Sequence, residues 1–206
     1  MTDYKAIADG VIEKLFDFEK ATDWIKSKET KEIKISYKQS QDFDGRMFKC
    51  EYVIDAPVEK VVDVIMDLEK HLKWDSSVKT ITSVEKIDEE MGVFYTVTPS
   101  YLAGLISSRD TCDLIGVRHI PAKDIYVIYD VSVDHPACPP VKKYVRARNY
   151  PSGTLLYKVD GDPNKTRLID MLQFELHLSP KSLIDRLMPS LIPTYASELS
   201  KGVKEL

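Results

Sequence analysis

Four histidines and three cysteines are the residues with which this chain could hold a metal ion or activate a nucleophile. They are His71, His119, His135 and His177, with Cys50, Cys112 and Cys138. Their spacing matches neither the H-E-x-x-H pattern nor the Cys/His pattern of a zinc site. The cysteines form no C-x-x-C pair, and an odd number cannot all pair within one chain, which favours reduced thiols. The sequence therefore predicts no metal ion and no cofactor.

Sequence patterns of common hydrolases and nucleotide-binding enzymes are also missing. The chain has no G-x-S-x-G elbow and no glycine-rich loop that would cradle a phosphate. Asp134 and His135 resemble an acid–base pair, but neighbouring residues of a strand point to opposite faces. Arg109, Asp113 and His119 could still meet in three dimensions, so an assembled catalytic site stays open as an alternative. On balance we expect a protein that is not an enzyme.

Composition is that of an ordinary globular domain. The chain has 206 residues, of which 43% are hydrophobic and 30% charged, and its net charge is -4. This length predicts one domain over residues 1–206. The acidic balance argues against binding to nucleic acid, which favours a basic surplus. We expect no secretory signal and no membrane-spanning segment. Together with reduced thiols this favours the cytoplasm, and we expect a monomer.

Apolar periodicity divides the chain into helices and strands. Residues 3–28 carry apolar side chains at helical spacing, whereas 33–39 and 47–54 alternate as strands of a hairpin. A further helix begins near Pro57, at a position where proline loses no needed hydrogen bond. From about residue 78 to 176, strand-like segments follow one another, separated by Gly, Pro, Asp and Asn. This order predicts an α+β domain with a long antiparallel meander.

The last segment predicts a long helix with one apolar face. Ser179 is a candidate cap, and Pro180 stands at the helix start. Pro189 and Pro193 lie inside the segment and predict a kink, because each removes a backbone donor. The apolar positions follow at steps of four, three, four and four: Ile184, Met188, Leu191, Tyr195 and Leu199. A sheet curled around this helix would leave room for an internal cavity.

Four segments resemble the START family of lipid-transfer domains, in the order and spacing of that family. They are DLEKHLKWD (67–75), TPSYLAGLISSRD (98–110), SVDHPACPPVKKYVRARNYPSG (132–153) and DPNKTRLIDMLQFELHLSPKSLID (162–185). The resemblance covers essentially the whole chain and is greatest to short, single-domain members that bind sterols or bile acids. It implies a helix-grip fold, in which a curved antiparallel sheet wraps around a long carboxy-terminal helix and encloses an internal hydrophobic cavity with one lipid.

One departure from the family bears on the ligand. Cholesterol-specific mitochondrial-type members resemble one another in an acid and an arginine inside the cavity. The matching positions here are Thr96 and Ile115, so the resemblance implies a cavity without that ion pair. A less polar lining suits several ligands, because an enclosed ion pair is costly unless it is well satisfied.

The candidate ligand-binding residues follow from this match and from strand alternation. On the sheet they are Thr96, Thr98, Arg109, Thr111, Asp113, Ile115, Ser132, Met171 and Gln173. On the final helix they are Ile184, Met188, Leu191, Ile192 and Tyr195. The segment 116–124 resembles a family lid loop, with Arg118, His119, Ile120 and Pro121 as its candidate residues.

The resulting hypothesis is a lipid carrier that encloses one sterol or, as second choice, one bile acid. Its lid and final helix would loosen during transient peripheral contact with a membrane, and no chemical energy source is needed. Two alternatives remain: a cavity-bearing enzyme such as a thioesterase or cyclase, and a ligand-sensing interaction module. Turnover of an acyl thioester would favour the first alternative, and ligand-dependent capture of a protein partner would favour the second.

Overall fold

The structure is a computed structural model that describes residues 2–180 and 182–206. Four α-helices lie in these residues: α1 (Tyr4–Lys20), α2 (Val58–Met66), α3 (Leu68–Trp74) and α4 (Ser182–Glu205). The strands are β1 (Ile25–Glu29), β2 (Ile33–Gln39), β3 (Arg46–Ile54), β4 (Thr80–Lys86), β5 (Met91–Val97), β6 (Arg109–Ile120), β7 (Ile125–Ser132), β8 (Val145–Arg146), β9 (Arg148–Asn149), β10 (Ser152–Val159), β11 (Asp162–Leu172) and β12 (Phe174–Glu175). The predicted α+β class is confirmed.

One antiparallel sheet dominates the domain. Its strand order is β1-β2-β3-β11-β10-β7-β6-β5-β4, and β8 pairs with β6 in parallel at one side. A small second sheet joins β12 to β9, just before the chain enters α4. The three strands β1, β2 and β3 on one side and the hairpin of β4 and β5 on the other therefore flank the central strands β11, β10, β7 and β6.

The concave face of the sheet packs against α4. Phe48 and Ile54 of β3, Ile128 of β7, and Met188 and Leu199 of α4 belong to one apolar cluster. Since β3 and β7 are separated by two strands, the sheet must curve for both to reach the same helix. Helices α2 and α3 complete this cluster, so α4 lies within the curve of the sheet, as the helix-grip prediction requires.

The convex face of the sheet packs against α1. Leu15 of α1 shares a second apolar cluster with Leu114 of β6, Val127 of β7 and Leu155 of β10. These strand residues alternate with those of the concave cluster, which is the period-two pattern of a sheet covered on both faces. The central strands are therefore buried on both sides.

One predicted boundary was wrong. The first helix ends at Lys20 rather than near residue 28, and Ile25–Glu29 forms the exposed edge strand β1. The helix that begins after Pro57 is interrupted at Asp67. There the Asp67 carboxylate accepts hydrogen bonds from the backbone N–H groups of Glu69 (2.9 Å) and Lys70 (3.0 Å) and so caps the separate helix α3.

No helix among residues 2–180 and 182–206 has the length and apolar composition needed to cross a bilayer.

Candidate functional site

Five of the candidate residues lie together on the concave face, on strands β5, β6 and β7. Thr96 pairs with Thr111, and Asp113 pairs with Ser132. Ile115 lies two positions beyond Asp113 on β6 and faces Asp130 of β7. Adjacent strands in register place these side chains on one continuous patch beneath α4.

Several side chains on this patch are deep in the molecule and yet partly accessible. Asp130 and Tyr195 have many protein atoms around them, although each retains accessible surface. Ile115 is also partly accessible and belongs to neither apolar cluster. Partial accessibility at such positions is a sign of incomplete packing, which we interpret as an interior space between the sheet and α4.

Carboxylic acids line the concave face, and each lies in a different polar setting. Asp113 accepts hydrogen bonds from the Ser132 hydroxyl (2.6 Å) and the Asn149 side-chain amide (3.0 Å). Burial nevertheless raises the pKa of Asp113. Burial, reinforced by the charge of Asp113, raises the pKa of Asp130 to about 8. The Asp130 carboxyl has no hydrogen bond or ion pair with any described residue, so it is protonated over much of the neutral range.

A third acid, Asp170 of β11, lies closer to β3. Thr154 donates a hydrogen bond to its carboxyl (2.8 Å), while burial raises the pKa of Asp170 to about 6. The neighbouring Tyr52 hydroxyl is buried and interacts with the Asp170 carboxyl, although the pair falls outside normal hydrogen-bond geometry. Tyr52 and Asp170 therefore form a weakly bonded polar pair within the apolar cluster.

Sequence reasoning missed Asp130, Asp170 and Tyr52. The signal that finds Asp130 is simple strand alternation: Ser132 was placed inward, and Asp130 precedes it by two residues on β7. Alternation similarly places Asp170 inward once Thr166 and Leu168 of β11 are known to face the concave side. Tyr52 carries no comparable signal, because a tyrosine in an alternating strand is typical of any sheet.

The final helix places most of its predicted residues inward. Met188 and Ile192 are buried in the concave cluster, and Ile184 and Tyr195 pack against it. Leu191 differs, because it is 40% exposed. At 100° per residue, Leu191 is rotated by roughly 80° from the centre of the buried stripe, so it lies at the solvent edge of α4.

Two candidate sheet residues do not border the interior space. Met171 lies on the convex face, buried in the cluster that contains α1, so its assignment to the ligand was wrong. Gln173 has no exposed surface: its amide oxygen accepts a hydrogen bond from Ser40 (2.6 Å) and its amide nitrogen donates to the Pro151 carbonyl (2.9 Å). Gln173 follows the end of β11 and joins two loops, which leaves none of its groups for a ligand.

Arg109 and Thr98 act locally at the start of β6. The Thr98 hydroxyl accepts a hydrogen bond from the Arg109 backbone N–H (3.0 Å). The Arg109 guanidinium donates to the Leu176 carbonyl (3.1 Å) and to Ser107, which fixes the segment that leads into α4. Burial lowers the pKa of Arg109. These contacts support a structural role for both residues, in the position where a ligand role was expected.

The predicted lid is a tight hairpin rather than a loop. Arg118, His119 and Ile120 are the last residues of β6, and Pro121 opens a single turn of 3₁₀ helix. Arg118 forms an ion pair with Asp9 of α1, and His119 stacks on Tyr126 with ring centroids 4.5 Å apart. Ile120 packs against the convex cluster. The lid assignment of these four residues was therefore wrong.

A different loop has exposed apolar side chains. The segment between β5 and β6 carries Leu105, which is 87% exposed, and Leu102, which is 51% exposed. Leu102 and Ala103 have φ values of 50° and 53°, in the left-handed region that few non-glycine residues adopt. The Tyr101 hydroxyl hydrogen-bonds the Ser77 carbonyl (3.3 Å) and so holds this loop near the end of α3.

Groups of His, Cys, Asp and Glu that could hold a metal ion are absent from the described part of the chain. Cys112 and Cys138 lie side by side as buried free thiols, and burial holds the pKa of Cys112 well above its usual range. The Cys112 thiol is therefore not an activated nucleophile.

Comparison with known proteins assigns this architecture to one family. The family model described as "START domain" matches residues 18–206. The chain is 30% identical to human StAR-related lipid transfer protein 6 over 205 residues, covering 98% of this chain and 92% of that protein. It is 32% identical to mouse StAR-related lipid transfer protein 5 over 203 residues, covering 96% of this chain and 94% of the relative.

A solved structure has the same fold. Human StAR-related lipid transfer protein 5 superposes with a TM-score of 0.91 at 26% identity, over 98% of this chain and 97% of that chain. The superposition includes the curved antiparallel sheet and α4. Together with the match over residues 18–206, this establishes that the chain belongs to the START domain family.

Proposed function

We propose that this protein binds one hydrophobic lipid between the concave face of its sheet and helix α4, and carries that lipid between membranes. The observation that carries this proposal is the set of partly accessible side chains deep in the molecule, Ile115, Asp130 and Tyr195, on facing elements. Similarity to relatives named as lipid transfer proteins supports the same reading. The ligand we favour is a sterol, with a bile acid as second choice.

The balance of apolar and polar groups suits such a ligand. Val117, Tyr126 and Leu172 supply partly buried apolar surface around the concave cluster. The acids of the concave face supply a few separate polar groups. Burying apolar surface gives about 25 cal/mol per Å², so a sterol of several hundred Å² gains several kcal/mol before entropy costs. A few polar groups then orient the ligand.

The segment between β5 and β6 is the proposed site of membrane contact. Its leucines Leu102 and Leu105 project from the domain, next to the segment that Arg109 holds ahead of α4. Insertion of these side chains into the interface of a bilayer would loosen the loop and the start of α4 together. A lipid could then move between the bilayer and the space beneath α4 without unfolding of the sheet.

Other activities rank below this one. A catalytic site built from Arg109, Asp113 and His119 is disfavoured, because Arg109 holds backbone carbonyls and His119 stacks at the far end of β6. We therefore propose a carrier without catalysis, acting as a monomer in the cytoplasm, with transient membrane contact and no nucleic-acid partner.

Native mass spectrometry tests the proposal. Purified, delipidated protein is offered an equimolar mixture of sterol, bile acid, phospholipid and fatty acid. A one-to-one adduct with one of these lipids is expected, and its mass names the ligand. If no adduct forms with any of them, the enclosed-lipid function is wrong, and thioester turnover becomes the next assay.

A further inference from the structure

Asp130 is the one acid of the concave face that the protein leaves without a partner among the described residues. Asp113 is held by Ser132 and Asn149, and Asp170 by Thr154. Asp130 lies between Ile115 of β6 and Ser152 of β10 in the register, and its side chain makes no hydrogen bond or ion pair with any described residue. Buried polar groups in native proteins are nearly always satisfied, so an orphaned acid bordering an interior space points to a partner from outside the chain.

The surroundings of Asp130 define the charge of that partner. Each element packed around it contributes an acid or a neutral group: Asp113 from β6, Ser152 from β10 and Tyr195 from α4. Asp113 is the charged group that acts on Asp130, and no lysine, arginine or histidine does so. Arg109 is the buried cation nearest in sequence to the patch. Its guanidinium already donates hydrogen bonds to backbone carbonyls.

This arrangement disfavours an anionic head group. A carboxylate brought beside Asp130 would place a negative charge near Asp113, and Arg146, which acts on Asp113 but not on Asp130, is already bonded to Asp110. Such an uncompensated charge is unfavourable in a buried site. A hydroxyl, in contrast, donates to an ionised carboxyl and both donates to and accepts from a protonated one. Asp130 can therefore satisfy a hydroxyl in either protonation state.

We propose that Asp130 anchors the head group of the enclosed lipid, and that this head group is a hydrogen-bond donor such as the 3-hydroxyl of a sterol, and not a carboxylate. The inference rests on the proposed function, because it assumes a lipid between the sheet and α4. It extends that function by distinguishing ligand classes. A sterol can place a hydroxyl at Asp130, whereas the carboxylate end of a bile acid or fatty acid would place an anion there.

The test compares three probes that share one ring system. Cholesterol carries the 3-hydroxyl, its 3-deoxy analogue carries hydrogen there, and a 3-carboxylate analogue carries an anion. Equilibrium binding is measured for the delipidated full-length protein and for the variants Asp130→Leu and Asp130→Asn. Asp160→Leu, which removes an exposed acid from the β10–β11 turn, is the matched control.

In the unaltered protein we expect cholesterol to bind more tightly than the deoxy probe, and the carboxylate probe to bind most weakly. Asp130→Leu should shift the ratio of cholesterol to deoxy affinity by about tenfold, because the buried hydroxyl then has no partner. Asp130→Asn should restore the preference, since the amide also donates and accepts. Asp160→Leu should leave the ratio unchanged.

The thermal stability of Asp130→Leu separates an effect on binding from an effect on folding. Asp130→Leu replaces an unpartnered buried acid by an apolar residue, so its thermal unfolding midpoint should equal or exceed that of the unaltered protein. An unchanged affinity ratio in Asp130→Leu, or tightest binding of the carboxylate probe, would overturn the inference while lipid binding itself stands. Failure of every lipid class to bind would overturn the proposed function as well.

Discussion

Asp110 and Arg146 are joined by two hydrogen bonds, from Nε to Oδ1 at 3.1 Å and from Nη2 to Oδ2 at 2.9 Å. The Tyr95 hydroxyl donates a third bond to Asp110 (2.8 Å), and the Asp110 side chain is fully buried. Arg146 lies on β8 and so fastens the loop before it to β6. Its guanidinium is thereby engaged within the protein.

Replacing Arg146 should therefore weaken the fold. Arg146→Met leaves a buried carboxylate without its cation, and we expect the free energy of unfolding to fall by about 3 kcal/mol. Chemical denaturation monitored by tryptophan fluorescence measures the change. Lys142→Met, at an exposed position in the preceding loop, is the control and should alter stability little. Equal losses in the two variants would contradict the role given to the pair.

His71 should make stability depend on pH. Its Nδ1 lies 2.8 Å from the Ile65 carbonyl and its Nε2 lies 3.0 Å from Asp75, so both ring nitrogens face acceptors. Burial opposes the charged ring, but the hydrogen bond to Asp75, helped by Ile65, outweighs burial and raises the pKa of His71 above its ordinary value of 6.5. Only the imidazolium donates to both acceptors.

The direction of this pH dependence follows from the linkage between proton binding and folding. Because the folded-state pKa is raised, the stabilisation by His71 is complete below about pH 6.5 and is lost as the pH rises through the folded-state value. We expect His71→Gln to destabilise the protein more at about pH 5.5 than at about pH 8.5. Urea unfolding of both proteins at the two pH values provides the measurement, and an equal or larger loss at the higher pH would refute the assignment.

Asp130 contributes a second pH dependence, without any ligand. Its pKa rises from 3.8 in the unfolded chain to about 8 in the fold, so the folded state retains a proton that the unfolded state releases. Stability must then decline as the pH rises from about 4 to about 8. Asp130→Asn cannot titrate, and we expect the variant to gain stability over the unaltered protein by several kcal/mol near pH 8 but little near pH 4. A constant difference across this range would be the contrary result.

The leucine-bearing loop between β5 and β6 should govern the transfer rate rather than the affinity. Leu105→Glu puts a charge where insertion into a bilayer is proposed, and the lost burial of one leucine corresponds to about a tenfold slower transfer between vesicles. The equilibrium affinity for the lipid should not change. Val53→Glu, which alters an exposed apolar residue on β3, serves as the control. Equal effects of Leu105→Glu and Val53→Glu would argue against contact at this loop.

The architecture could be predicted from the sequence because helices and strands each have a characteristic spacing of apolar residues. Alternation identified the strands around Ile115 and Ser132, and helical spacing identified Met188 and Ile192 as the buried side of α4. Four segments in family order supplied the remaining topology. The failure at residues 20–28 concerns a boundary, because the first helix ends at Lys20 and a short edge strand follows it.

The candidate site was harder to predict because it depends on which face each strand presents and on tertiary partners. Met171 and Gln173 were assigned to one face, but Met171 lies on the convex side and Gln173 is used by the Ser40 and Pro151 loops. Nothing local indicates that Arg109 would reach the Leu176 carbonyl across the fold. Asp130 could have been found by the alternation argument, but it lies outside the four segments that carry the family resemblance.

The most direct test of the central claim maps where a lipid lies. Delipidated protein is loaded with a sterol that carries a photoreactive diazirine, irradiated, digested and sequenced by mass spectrometry. We predict labels on β6, β7 and the inner side of α4, around Ile115, Asp130 and Tyr195, competed away by excess cholesterol. Labels confined to outer surfaces, such as the exposed strand β1 or the convex side beneath α1, would contradict the enclosed-lipid account.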